Sequence, residues 1–122
     1  MRIFKNKWFT KFAKKEHISD EKLVEAIRNA EAGKIDADLG GGVIKQRIDR
    51  EGEGKSGGYR TIILYRKGER AFFVYSFAKS ERANIAKDEL RAFKLLAKNL
   101  FKYDDRELEI LSLRRDIEEV FT

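Results

Sequence analysis

Tyr59-Arg60-Thr61-Ile62-Ile63-Leu64-Tyr65 and Ala71-Phe72-Phe73-Val74-Tyr75-Ser76-Phe77 stand on either side of Gly68-Glu69. Both runs are rich in β-branched and aromatic residues, and the glycine suits a tight turn. The stretch therefore predicts a β-hairpin with strands over 59–67 and 71–78. Both faces of each strand are apolar, which predicts central strands covered by helices on at least one side. Upstream, residues 43–50 alternate: Ile44, Gln46 and Ile48 fall on one face, Lys45, Arg47 and Asp49 on the other. That adds a third strand. Residues 51–58 are polar and glycine-rich and read as the loop joining it to the hairpin.

Working outward, Arg2-Ile3-Phe4 reads as a short first strand. Trp8, Phe9, Phe12 and Ala13 recur at helical spacing and predict an amphipathic helix over 6–15. Ser19 is placed as an N-cap, with Ile18 before it and Leu23 four residues after, the hydrophobic-staple arrangement. Leu23, Val24, Ile27 and Ala30 continue that helix over 20–32, and Gly33 supplies the left-handed residue past its end. Ser80 reads as the N-cap of a third helix with the stripe Leu90, Phe93, Leu96, Ala97 and Leu100. Asp104-Asp105 opens a fourth, whose apolar positions are Ile110, Leu113, Ile117 and Val120. The predicted order is β-α-α-β-β-β-α-α, an α+β domain with a meander sheet.

The chain has 122 residues, one domain's worth. It has no cysteine and one histidine, His17, in a polar stretch between the first two helices. A disulfide framework and a thiolate metal site are thereby excluded, a histidine metal site and a Ser-His-Asp triad have little to build on, and a carboxylate-only Mg²⁺ site stays open. No apolar run is long enough for a signal peptide or a membrane span, so the expectation is a soluble cytoplasmic protein with no membrane association. The net charge of +6 is unevenly spread. Residues 1–103 carry 24 Lys and Arg against 14 Asp and Glu, a net of +10; residues 104–122 carry 3 against 7, a net of −4. A basic body with an acidic tail points to a polyanionic partner for the body.

Two familiar phosphate motifs fail their context. Gly52-Glu53-Gly54-Lys55-Ser56-Gly57 matches G-x-G-x-x-G but leads into a strand rather than a helix. Gly54-Lys55-Ser56 resembles the end of a P-loop, yet Asp49 stands where the first glycine is required. The cations carry a better signal. Lys45 and Arg47 share a strand face, Arg60 begins the next strand and Lys79 follows the third. Strands paired in order bring these four together on one face or rim, with Lys55 reaching in from the glycine loop. Arg66 and Arg82 extend the basic set. Tyr59, Tyr65, Phe73, Tyr75 and Phe77 are interleaved with it, and a tyrosine at the rim can stack a base or bond a phosphate.

Leu39-Gly40-Gly41-Gly42-Val43-Ile44-Lys45-Gln46-Arg47, Gly54 through Thr61, and Phe77-Ala78-Lys79-Ser80-Glu81 together resemble a branch of the RelE/HigB toxins of type II toxin–antitoxin pairs. Phe4 through Phe9 and Ile35 through Leu39 resemble the same branch. The resemblance covers roughly residues 1–100. It implies a microbial-RNase, RelE-like fold: a small antiparallel sheet with N-terminal helices on one side, followed by C-terminal helices. It also implies a toxin that cleaves mRNA on the ribosome without metal or cofactor. A cognate antitoxin, often of helix-turn-helix type, neutralises such toxins. The domain is read as residues 1–103, with 104–122 an acidic helical extension. That extension packs as a terminal helix, masks the basic face or meets the antitoxin.

The chemistry follows from residue types. RNA cleaves itself when its 2′-OH attacks the adjacent phosphate, which requires a base, charge stabilisation and an acid. Arg47 and Arg60 suit the charge, because a guanidinium forks onto phosphate oxygens. Lys45, Lys55 and Lys79 are candidates for base or acid. A free lysine at about 10.4 is too basic to act as a base, and neighbouring cations lower it. Tyr75, sharing a face with Lys79, is favoured over Tyr65 for stacking the base. The RNA-binding set is Lys45, Arg47, Lys55, Arg60, Arg66, Lys79 and Arg82. The alternatives are a non-catalytic nucleic-acid-binding module of the same fold, including a gyrase-targeting relative, and a protein-interaction module.

Overall fold

The structure, a computed structural model, describes residues 1–50 and 54–121, and of residues 54–56 the backbone alone. The elements in chain order are β1 (Arg2–Asn6), α1 (Lys7–Lys15), α2 (Asp20–Glu31), β2 (Ala37–Gly40), β3 (Val43–Arg50), β4 (Gly54–Arg66), β5 (Arg70–Ala78), α3 (Lys87–Leu100), α4 (Asp105–Leu113) and β6 (Ile117–Val120). The strands form one open sheet in the order β2-β3-β4-β5-β1-β6. All neighbours run antiparallel except β1 and β5. The fold is α+β and RelE-like, as expected.

Local signals set most of these elements. Asn6 caps α1, its side chain accepting from the Phe9 N–H at 2.8 Å. Ser19 caps α2 through the Lys22 N–H at 3.3 Å. Gly33 follows α2 at φ +83°, a left-handed conformation that costs glycine little. Gly68, at φ +72°, turns the β4–β5 hairpin.

The sheet is covered on both faces. On one face α1 and α2 bury Ile44, Ile48, Tyr59, Ile63, Ala71 and Phe73. Gln46 lies on this face, 2% exposed. Its amide donates to the carbonyls of Ala26 at 3.2 Å and Lys34 at 3.0 Å and accepts from the Asp36 N–H at 2.8 Å. On the other face α3 and α4 pack Ala97, Leu100 and Leu108 against Phe4, Val43, Ile62, Leu64 and Phe72. Phe4 and Phe72 stack at 5.2 Å.

Four expectations differ from the structure. β4 begins at Gly54 rather than Tyr59, so the glycine-rich stretch is partly strand; the rest of the expected loop, residues 51–53, lies outside the described residues. β2 is an additional strand, four residues long, ending in a side-chain turn in which Asp38 accepts from the Gly40 N–H at 2.9 Å. The third helix starts at Lys87, not after Ser80. The Glu89 carboxylate accepts from the Ala86 N–H at 2.7 Å and fixes that start, while the chain before it is held by contacts of Arg82 and Asn84 to the sheet. Finally, the helix expected through Val120 stops at Leu113. Asp116 donates its N–H to the Leu111 carbonyl at 2.9 Å, Arg115 turns at φ +62°, and residues 117–120 pair with β1 as a strand. Ile117 and Val120, three residues apart, would share one helical stripe; on the strand they face opposite sides of the sheet, each into a core, and the edge of β1 decides between the two.

Register shifts between β3 and β4 near Arg50. There Gly58 passes so close to its neighbour that a Cβ would lie 2.1 Å from the Ile48 carbonyl oxygen. Gly58→Ala must push the two backbones apart, and we expect a loss of about 2 kcal/mol or more. Urea unfolding of the variant checks this; a midpoint equal to wild type contradicts the close approach.

Candidate nucleic-acid interface

The sheet's second face, where Phe93 of α3 reaches Tyr75 at 6.0 Å, carries two transverse rows across β3, β4 and β5. Arg47 of β3 is directly opposite Arg60 of β4, which is directly opposite Phe77 of β5. In the neighbouring row Lys45 opposes Ile62, which opposes Tyr75. Directly paired residues of antiparallel strands point to the same face. Lys45, Arg47, Arg60, Tyr75 and Phe77 thus converge on one surface. Arg47 is exposed, Lys45 half-buried and Arg60 buried.

A break in alternation makes this possible. The β4–β5 register shifts between Ile62 and Ile63: Ile63 pairs with Phe73 and Ile62 with Tyr75, so Val74 is the extra residue of a bulge. Phe73 faces α1 and α2, whereas both Val74 and Tyr75 pack on the opposite side. From Tyr75 onward the strand presents the other parity. Asn6 fastens the bulge, donating from its side-chain amide to the Val74 carbonyl at 3.1 Å.

Residues 79–86 cross above this surface. Arg82 lies 5.8 Å from the Tyr75 ring centroid and 5.5 Å from that of Phe77. It donates to the Tyr75 hydroxyl at 3.0 Å and to Glu89 at 2.6 Å and 3.2 Å. Further across, Lys45 donates to the Asn84 side chain at 3.2 Å. The bond to Glu89, then that to Tyr75, raises the Arg82 pKa above its ordinary value. Arg82, and secondly the Ala86 N–H, holds the Glu89 carboxyl below the usual carboxylate range. Trp8, at the start of α1, reaches the same rim: its ring centre is 4.7 Å from Tyr75 and 5.0 Å from Phe12, on which it stacks.

The other expected residues are distributed as follows. Lys79 is exposed just past β5. The Lys55 side chain lies outside the described residues. Arg66 stands apart, six residues along β4 from Arg60 or about 20 Å, with its guanidinium 4.6 Å from the Phe101 ring centre. Tyr65 lies under α2 on the opposite face, and its hydroxyl donates to Glu31. Burial, and then that carboxylate, pushes the phenol pKa up. Tyr59 is likewise on that face and donates to Glu16 at 2.6 Å. Of the candidate stackers, Tyr75 therefore shares the cationic surface. Asn84 and Glu89 carried no local sequence signal, because their roles exist only once 79–86 lies across the sheet. Trp8 was hidden by its place in a helical apolar stripe.

Among the described residues, no group of three or more His, Asp or Glu side chains is arranged to hold a metal ion, and no helix is long and apolar enough to cross a membrane. The model of the protein family described as RelE toxin of RelE / RelB toxin-antitoxin system matches residues 1–120. The chain belongs to that family: it is a RelE-type toxin, and the family implies a cognate antitoxin. Comparison with curated proteins found no match.

The Arg82–Glu89 pair has a pH signature. A carboxyl whose folded pKa is depressed keeps its partner at neutral pH and loses it as pH falls through that depressed value. NMR titration of Glu89 should give a midpoint below the ordinary glutamate range of about 4.3, moving up toward that range in Arg82→Ala. Identical midpoints in the two proteins contradict the pairing.

Proposed function

We propose that this toxin is a metal-independent endoribonuclease acting on ribosome-bound mRNA. The observation that carries the reading is the directly opposed Arg47 and Arg60, beside Lys45 and flanked by Tyr75, Phe77 and Arg82. Two guanidiniums on one face offer paired donors to the oxygens of one phosphate, where charge builds up in the transition state. The 2′-OH loses its proton to a base and its oxygen bonds to phosphorus. The bond from phosphorus to the 5′ oxygen breaks, and an acid protonates that oxygen. The products are a 2′,3′-cyclic phosphate and a 5′-OH. Lys45, Lys55 and Lys79 are the candidates for the two proton transfers, and Tyr75 and Arg82 for gripping the base and flanking phosphate. A ribosomal substrate places the toxin in the cytoplasm, and a helix-turn-helix antitoxin is the partner expected to silence it.

Inducing the protein in cells and mapping mRNA 5′ ends by primer extension tests this. Wild type should arrest growth and create new 5′ ends. Arg47→Ala and Arg60→Ala should each lower cleavage roughly hundredfold or more, the scale for losing one charge-stabilising donor. Arg47 is exposed, so its variant is expected to fold; circular dichroism and melting confirm this for both. Arrest without cleaved mRNA, or cleavage unaffected by both substitutions, rejects the reading and favours another target or a binding module.

A further inference from the structure

We propose that Trp8 is a base-stacking residue of the RNA site, extending the surface from the sheet onto the first turn of α1. The proposal rests on the RNA-cleaving reading above and adds a residue to it. Trp8 is 42% exposed, whereas its helical neighbours Phe9 and Ala13 are buried. It is the single tryptophan of the chain. Its ring is not adrift on the surface. Phe12 backs it at an interplanar angle of 13°. Tyr75 flanks it, tilted by 41°. Tyr75 in turn neighbours Phe77 at 6.1 Å, so three rings run in series beside the arginines.

The mount is rigid for a physical reason. Asn6 uses both halves of its amide: the oxygen caps α1 at the Phe9 N–H, and the nitrogen holds the Val74 carbonyl. The residue just before α1 and the residue just before Tyr75 are therefore tied by one side chain. This ties the first turn of α1, and with it Trp8, to the strand that carries Tyr75. A backed, preorganised and partly exposed indole next to cations is how proteins grip unpaired bases, since every base offers a π-face to stack. A chain whose scissile phosphate sits on Arg47 and Arg60 can lay flanking bases across Tyr75 and Trp8.

The lone indole also reports on itself. A short 2′-O-methyl RNA, which lacks the attacking hydroxyl and is not cleaved, is titrated into wild type, Trp8→Ala and Trp8→Phe. Binding is followed by anisotropy of a label on the RNA, and tryptophan emission is recorded in wild type. We expect quenching that tracks binding, about tenfold or greater weakening in Trp8→Ala, and near-wild-type affinity in Trp8→Phe. Melting curves confirm that the variants fold. Binding without quenching, or equal affinity in Trp8→Ala, overturns the role of Trp8 and leaves the RNA reading standing. Absence of any binding by wild type at low salt overturns both.

Discussion

The bulge at Val74 is the constraint on which the functional surface depends. Strict alternation along β5 would send Phe73, Tyr75 and Phe77 to one face, all under α1 and α2. Arg60, which points to the other face, would then be flanked by the short side chain of Ser76. One extra residue reverses the parity, and Phe73 stays in the core while Tyr75 and Phe77 join Arg60. Ser76, turned to the opposite face, is satisfied there by Thr61 at 2.9 Å. A bulge leaves backbone groups to be paired elsewhere, and the Asn6 side chain supplies that pairing at Val74. The same residue caps α1, so one asparagine couples strand parity, helix start and the position of Trp8.

This coupling explains why the fold was more legible than the site. Helices α1 and α2 and the β4–β5 hairpin announce themselves through caps, staple and turn glycines, all local signals. The meander of β3, β4 and β5 follows from short connections, and with it the opposition of Arg47 to Arg60. The bulge has no such signal: Phe72-Phe73-Val74-Tyr75 is apolar throughout, and periodicity cannot tell where alternation slips. Parity counted from Lys79 puts Tyr75 on the cationic face despite the bulge, because Lys79 and Tyr75 lie on the same side of it.

Elements missed in the sequence are those defined by distant partners. β2 and β6 have four residues each, too short for a period to show. β6 exists because β1 has an edge to fill. The irregular run before α3 exists because Arg82 finds two aromatic rings and Glu89. Ser80 looks like a cap, but a helix starting there would forfeit the Arg82 contacts that hold the chain over the sheet. In each case a local preference yields to a tertiary contact of greater value.

The acidic C-terminal stretch acquires its meaning from the same topology. Its carboxylates serve the β1 edge: Glu119 and Asp105 pair with Arg2, Glu118 with Lys5, and Asp105 also with Arg70. Lys5 is largely buried, so its two carboxylate partners, Glu118 and Asp20, offset a desolvation that would otherwise be costly. β6 is four inter-strand spacings from β3, about 19 Å, and opposite charges separated by more than a Debye length of about 8 Å scarcely feel each other in physiological salt. Acidity concentrated at one edge of the sheet therefore neutralises the cations there without cancelling the Lys45, Arg47 and Arg60 surface at the other. The uneven charge along the chain becomes a division of labour across the sheet, with structural ion pairs beside β1 and a positive, aromatic-rimmed face over β3 to β5.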